Sequence, residues 1–401
     1  MRIAVVGAGI AGLTLGLALA GTGVRVRIYE RAPKLREVGA GIQLSPNAVR
    51  SLCRLGLDGH LRRVGVEAES IDRLAWDDGR LLSRTLLGTQ CRDLYGAPYY
   101  TLHRADLHTG LTRALAPGTV RLDSACTSVA EHDGGVVLRF ADGTVEEADV
   151  LVGADGIRST VRASLMEDEP RPAGRSIYRG LIPADRLPWS PEPRVRLWMG
   201  KGQHCVCYPI SGGRLVSFAA TAPTVGPGEE SWSAAGDPCE LRDLYRDWDG
   251  TLRSILAIVE ETGRWSLYDR APVTRWSGDR TTLVGDAAHP MLPFMAQGAN
   301  QAIEDAVVLA ACLAQADGHR PAAALHHYER LRQERTTRVQ NGSRARGDAL
   351  HNADRTHDHP RVDHAEALRS LRERAWLYGY DAEFAIDPEG NAWTRPQSTP
   401  T

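Results

Sequence analysis

An α/β fold built on a parallel sheet is predicted by three apolar, strand-like runs, each closed by glycine or an acid. Ile3-Ala4-Val5-Val6 runs into Gly7-Ala8-Gly9-Ile10-Ala11-Gly12, and Val150-Leu151-Val152 runs into Gly153-Ala154-Asp155-Gly156. Thr281-Thr282-Leu283-Val284 runs into Gly285-Asp286. In an open parallel sheet, ligands lie beyond the carboxyl ends of the strands. Three such ends are therefore expected to converge on one ligand. The expected architecture is a Rossmann-like domain with an inserted β-sheet domain and a C-terminal helical segment.

The elements follow in order. Residues 3–6 are continuously apolar, as in a strand covered on both faces. Gly7 suits a tight turn, Gly9 the close approach of a pyrophosphate, and Gly12 the packing of the next helix onto the strand. That helix would aim free N–H groups and its positive dipole end at phosphates. Residues 3–24 carry no charge and mimic a membrane span, but Gly7, Gly9, Gly12, Gly16 and Gly21 interrupt them. A second strand follows, Val24-Arg25-Val26-Arg27-Ile28-Tyr29-Glu30. A strand–turn–helix–strand unit explains this pattern and a membrane helix does not. Glu30 lies 18 residues after Gly12, where an acid binds adenosine ribose hydroxyls.

This first motif does not separate FAD from NAD. The two later strand ends do. A dinucleotide held by a simple Rossmann unit needs neither Asp155-Gly156 nor Gly285-Asp286, whereas a ligand with a ribityl chain and a ring does. Asp286 is suited to ribityl hydroxyls. Gln297-Gly298-Ala299-Asn300-Gln301 opens a helix over 302–314, whose N-terminal dipole would face the pyrimidine end of a flavin. Noncovalent FAD is the expected cofactor.

Residues 1–73, 102–175 and 273–340 are expected to form the FAD-binding domain. Residues 74–101 and 176–272 would form a substrate-binding β-sheet domain, and 341–401 a C-terminal helical segment and tail. Residues 194–199 alternate strictly, as a half-buried strand does. Its expected neighbours are 203–210 and 214–221, joined at Ser211-Gly212-Gly213. Residues 223–238, rich in Pro, Gly and Ser, read as a loop. Strand geometry puts His204, Val206 and Tyr208 on one face, which suits the wall of an aromatic pocket. His204 is a candidate base toward a phenol, since an ordinary imidazole titrates near neutrality. Tyr208 is a candidate for orienting it or the substrate. Met291, Leu292, Pro293, Phe294 and Met295 would form a hydrophobic roof that excludes water, with His289 bracing the loop.

Composition bounds the partners. Hydrophobic content of 42% and charged content of 24% are ordinary for a soluble globular protein. A net charge of −2 gives no case for nucleic acid or an acidic membrane surface. The seven cysteines are dispersed and follow no metal or disulfide spacing, so no metal is expected and a reducing cytoplasm is the expected compartment. His351, His357, His359 and His364, with Asp354, Asp358 and Asp363, are irregularly spaced and read as solvated chain.

Together these residues resemble the group A FAD-dependent aromatic hydroxylases, most of all the salicylate hydroxylase-like branch. The family's dinucleotide fingerprint corresponds to Gly7, Gly9, Gly12 and Glu30, its Asp-Gly motif to Asp155-Gly156, and its Gly-Asp motif to Gly285-Asp286 with Pro290. The stretches Arg36-Glu37-Val38-Gly39-Ala40-Gly41-Ile42-Gln43-Leu44-Ser45-Pro46-Asn47-Ala48, His103-Arg104-Ala105-Asp106-Leu107 and Trp376-Leu377-Tyr378-Gly379-Tyr380-Asp381 are also typical. The likeness runs from residue 1 to about residue 383. It implies that Arg104 contacts the cofactor and that Gln43 lies by the isoalloxazine. It adds Ala11, Arg31, Val129, Pro290, Gly298, Ala299 and Asn300 to the cofactor contacts. It implies a His and a Tyr in the substrate pocket at the spacing of His204 and Tyr208. Some members carry a polar loop residue that binds substrate, and here Pro293 and Phe294 stand instead.

The implied activity is hydroxylation of a small activated aromatic, a phenolic or heteroaromatic acid, through a flavin C4a-hydroperoxide. O2 would be the oxidant, and NAD(P)H would visit transiently because only one nucleotide fingerprint is present. A monomer or homodimer is expected. Epoxidation, or tailoring of a larger natural product, would keep the fold and change the outcome. A flavin-binding regulator is disfavoured because no DNA-binding element or basic patch is visible. A dehydrogenase without flavin would leave the later strand ends unexplained.

Overall fold

A computed structural model describes residues 1–35, 40–200, 202–224, 235–316, 320–351 and 363–386. The segment 36–39, most of the loop expected at 223–238, the polar stretch with His357 and His359, and the end of the tail lie outside the described residues. The chain begins with β1 (Arg2–Val6), α1 (Ile10–Leu19) and β2 (Arg25–Tyr29). It continues through β3 (Gly41–Leu44), α2 (Pro46–Leu52), α3 (Asp58–Val64), β4 (Val66–Glu67), β5 (Ser70–Ala75) and β6 (Leu81–Leu86). Helix α4 (Gly88–Tyr95), β7 (Tyr100–His103), α5 (Arg104–Ala114) and β8 (Val120–Arg121) follow. A meander of β9 (Cys126–His132), β10 (Gly135–Phe140) and β11 (Val145–Ala148) leads to β12 (Val150–Gly153) and α6 (Thr160–Leu165). Long strands β13 (Arg171–Pro183), β14 (Arg194–Gly200), β15 (Gln203–Ile210) and β16 (Leu215–Pro223) precede β17 (Ala235–Gly236), α7 (Pro238–Leu244), α8 (Gly250–Ala257) and β18 (Thr262–Asp269). The chain closes with β19 (Thr281–Leu283), α9 (Gly298–Ala314), α10 (Ala322–His351), α11 (His364–Arg372) and α12 (Ala375–Tyr378).

The three strand ends read from the sequence belong to one parallel sheet, ordered β19-β12-β1-β2-β8. Helix α1 carries no charge, and all ten of its residues are buried, as expected of a core helix. It packs against α9. Among the described residues no helix is long and apolar enough to cross a membrane. Gly7 has φ +106°, and a Cβ there would lie 2.4 Å from the Ala154 carbonyl oxygen. The turns after β1 and β12 therefore touch through a glycine that no other residue replaces.

An eight-stranded sheet, β17-β18-β13-β16-β15-β14-β5-β6, stands against this domain. It is antiparallel except where β14 runs parallel to β5. The hairpin at Ser211–Gly213 joins β15 to β16 as expected, with Ile210 opposite Leu215. Three elements run across the expected domain boundaries. Strands β5 and β13 begin at Ser70 and Arg171, before the boundaries expected at 73/74 and 175/176. Helix α10 also runs unbroken through the boundary at 340/341. Gly174, with φ +67°, sits at an irregularity in the pairing of β13 with β18, and such a bulge within one long strand hides its true start from the sequence.

Candidate active site

A cavity of about 670 Å³ opens where β1, β2 and β12 end, and it extends to the face of the eight-stranded sheet. That volume lies within the range of roughly 300–1,000 Å³ usual for ligand sites. One end is a cradle made of Gly7, Ala8, Gly9, Ile10 and Ala11, with Glu30, Arg31, Arg104, Asp155 and Gly156 around it. A Cβ on Gly9 would meet nothing within 4 Å, so this glycine opens the cavity at the start of α1. Glu30 is held by two backbone donors, Ala8 N at 2.8 Å and Ala32 N at 2.9 Å. Asp286 faces the cavity between the buried Gly285 and Ala287, and its carboxylate makes no hydrogen bond within the described structure. Surrounding protein pushes its pKa up by desolvation, with His289 and Arg104 pulling the other way.

The other end is built by register. On β15, His204, Val206 and Tyr208 share the face that lines the cavity. Val206 pairs with Ala219 and Tyr208 with Ser217 on β16. Ala219 in turn pairs with Arg179, and Thr221 with Ile177, on β13. His204, Val206, Tyr208, Ser217, Ala219, Ile177 and Arg179 all border the cavity. The His204 backbone N–H donates to Thr221 Oγ1 at 2.8 Å, and the hydroxyl donates back to the His204 carbonyl at 3.0 Å. Nδ1 lies 3.4 Å from the same Oγ1. This contact holds the imidazole in place on the cavity wall, with either atom able to carry the shared proton. Phe294 meets the His204 ring edge-on, with centroids 5.4 Å apart. Tyr208 is buried beside Gln43 and Ser217, and burial raises its pKa, so it is a neutral phenol.

These residues fit FAD: a glycine-lined helix start for a pyrophosphate, an acid at the end of β2 for a ribose, and, among the described residues, an unpartnered acid at Gly285-Asp286 for a polyol. Gly298, where an added Cβ meets only Asp286 Oδ1 at 3.8 Å, opens the start of α9 for a ring. A family model described as an FAD binding domain matches residues 1–343. The chain belongs to the FAD binding domain family. A relative from Streptomyces platensis, 3-amino-4-hydroxybenzoate 2-monooxygenase PtnB3, is 47% identical over 95% of this chain and 96% of its own. The 6-hydroxynicotinate 3-monooxygenase of Bordetella bronchiseptica is 35% identical, with 95% of each chain covered. Among solved structures, a salicylate hydroxylase substrate complex superposes with a TM-score of 0.80 at 27% identity, covering 96% of this chain and 97% of that one. This chain is an FAD-dependent aromatic monooxygenase.

Not every residue expected at the flavin borders the cavity of this flavoenzyme. Gly12, Val129, Pro290 and Asn300 do not. Gly12 is a packing glycine, since a Cβ there would lie 2.1 Å from the Gly7 carbonyl oxygen. Val129 is half-buried within β9, and Pro290 offers its carbonyl to Gln340 Nε2 at 3.1 Å. Asn300 staples α9 to β3, accepting from Ser45 N at 2.9 Å and donating to the Gln43 carbonyl at 3.0 Å. Gln43 borders the cavity and accepts from the Tyr99 hydroxyl at 2.7 Å. Asp155 borders it too, yet its carboxylate accepts from Ser159 Oγ at 2.5 Å and Thr160 N at 2.8 Å, so it caps α6. The apolar roof comprises Met291, Leu292, Pro293 and Phe294. Met295 instead packs on α10, where a Cβ on Gly342 would lie 2.9 Å from its sulfur. His289 braces the loop through Asp305, with Nε2 2.5 Å from the carboxylate. Sequence reasoning missed Arg179, Thr221 and Ser217, because only strand register shows that they share the face of His204.

Proposed function

We propose that this monooxygenase hydroxylates a small aminohydroxybenzoate or related phenolic acid, using NAD(P)H and O2, as its relative's name describes for 3-amino-4-hydroxybenzoate. The observation that carries this reading is the continuity of one cavity from the Gly9 cradle to His204 and Tyr208. Bound FAD supplies the redox chemistry that makes one oxygen atom of O2 electrophilic. The balance is NAD(P)H, a proton, O2 and the arene giving NAD(P)⁺, water and the phenol. His204 receives the phenol proton, which raises electron density on the ring carbon that is attacked. Neutral Tyr208, on the cavity face beside Ser217, orients the ring. The roof of Met291, Leu292 and Phe294 keeps water from the reacting atoms. Phe294 reaches this position because Gly347 leaves room, since a Cβ there would lie 2.4 Å from its ring. Glu30, Asp286 and the start of α1 hold the cofactor.

The enzyme acts without nucleic acid or an acidic membrane surface, a reading that the net charge of −2 supports, and as a cytoplasmic monomer or homodimer. The test is NAD(P)H consumption by the yellow holoenzyme with 3-amino-4-hydroxybenzoate, 6-hydroxynicotinate, salicylate and larger phenols in ¹⁸O₂. One labelled oxygen in the product of a small phenolic acid is expected. Peroxide alone with every aromatic would sink the reading.

A further inference from the structure

The cavity face of the eight-stranded sheet carries one charged side chain that nothing above uses. Arg179 borders the cavity beside Tyr208 and Arg104. Among the described residues no carboxylate pairs with it, and its buried Nε has no hydrogen-bond partner. Its guanidinium instead lies 5.7 Å from the Trp265 ring, a contact that holds a cation without neutralising it. Two fully buried arginines show how such a charge is usually met. Arg162 pairs with Asp168 at 2.8 Å, and Arg332 with Glu304 at 2.6 Å and Asp305 at 2.8 Å. Arg179 is half-buried, and a cation held against low-dielectric protein is costly unless an anion joins it. Desolvation pushes its pKa down, with Tyr208 opposing and Arg104 adding to it.

Position identifies the anion. The pyrophosphate cradle lies at the other end of the cavity, around Gly9 and the start of α1. Arg179 stands in register with Ala219 and, beyond it, Val206, so its Cα is about 10 Å from that of Val206 at two strand spacings. Ala219, reduced to a methyl group, leaves room for a flat ring between the cation and the His204–Tyr208 strand. A ring lying over Ala219, phenol toward His204, directs a carboxylate on its far side at Arg179. We propose that Arg179 is the carboxylate anchor of the substrate site, whose two-toothed fork selects aromatic acids over their decarboxylated analogues. This rests on the aromatic-acid reading above.

The test uses holoenzyme and needs no turnover: ligand binding is read from the change in flavin absorbance. The ligands are 3-amino-4-hydroxybenzoate and its decarboxylated analogue 2-aminophenol, offered to wild type, R179Q and R179K. R179Q is expected to weaken the acid about 30-fold or more, the scale for truncating one partner of a buried charge pair, while 2-aminophenol binds as to wild type. R179K, which keeps the charge without the fork, should fall between. FAD content and the thermal midpoint report that each variant is folded. If wild type and R179Q bind the acid alike, the anchor is overturned and the substrate class stands. If wild type binds no benzoic acid at all, the substrate class fails and the anchor with it. Loss of FAD from both variants would assign Arg179 to a cofactor phosphate and overturn the proposal.

Discussion

A histidine becomes a base through the bonds its other atoms make. Thr221 holds both the backbone and Nδ1 of His204, and Phe294 covers the ring edge. His204→Ala should slow hydroxylation about 10²–10⁴-fold, the usual contribution of a general base, with FAD content unchanged. The acid limb of the pH–rate profile should disappear with it, and a wild-type rate and profile would make His204 structural. Asp286 shows the opposite relation between stability and function. The protein around it raises its pKa above the ordinary 3.8 by desolvation, although the carboxylate is open to the cavity, so the folded chain binds a proton more tightly than the unfolded one. Stability is then lost as pH rises through that range. Asp286→Asn should therefore melt at a higher temperature than wild type as apoprotein at pH 7. The gain should vanish toward about pH 3, below the unfolded pKa, while most FAD is lost. Equal melting of the two apoproteins at pH 7 would show that the cavity solvates this carboxylate well.

At the scale of elements, the turn between β1 and α1 separates folding from binding within one motif. A Cβ on Gly9 meets nothing, whereas one on Gly12 collides with the Gly7 carbonyl at 2.1 Å. Gly9→Ala should yield a folded, colourless protein with wild-type far-UV circular dichroism, because the added methyl fills cofactor space. Gly12→Ala should be strongly destabilised, by about 1–3 kcal/mol for overpacking, and a yellow, stable Gly12→Ala protein would refute that assignment. This turn was legible because each glycine has a distinct steric duty at a fixed spacing. The β15–β16 hairpin was legible too, through alternation and the Ser211–Gly213 turn. The role of β13 was not. Arg179 reaches the substrate face only through pairing with Ala219 on β16, and register between strands separated by some 40 residues leaves no local pattern. The same limit hid the bonds by which Asn300 joins α9 to β3.

At the scale of the whole molecule, a buried ionic network ties the flavin loop to the two long C-terminal helices. Asp305 on α9 accepts from Gly285 N at 2.9 Å, His289 Nε2 at 2.5 Å and Arg332 Nε at 2.8 Å. Glu304 accepts from Arg332, Arg335 and Asn47, and Arg335 also grips the carbonyls of Trp376 and Leu377. One node thus fixes the turn that carries Asp286, helix α10 behind the roof, and the C-terminal segment. Burial alone would raise the Asp305 pKa, but His289 and Arg332 outweigh it and hold the group at about 2. With the folded pKa below the unfolded one, its contribution is full above about pH 4 and is lost as pH falls toward 2. The drop from 3.8 to about 2 corresponds to about 2 kcal/mol. Asp305→Asn should be less stable at pH 7 by about 3–5 kcal/mol, as expected when a buried pair is broken. Its stability should also decline less steeply than that of wild type between about pH 4 and pH 2. Denaturant melts of both proteins across that window decide the matter. Parallel curves would mean that Asp305 titrates no differently in the folded and unfolded chains, and that the loop carrying Asp286 is held by packing alone.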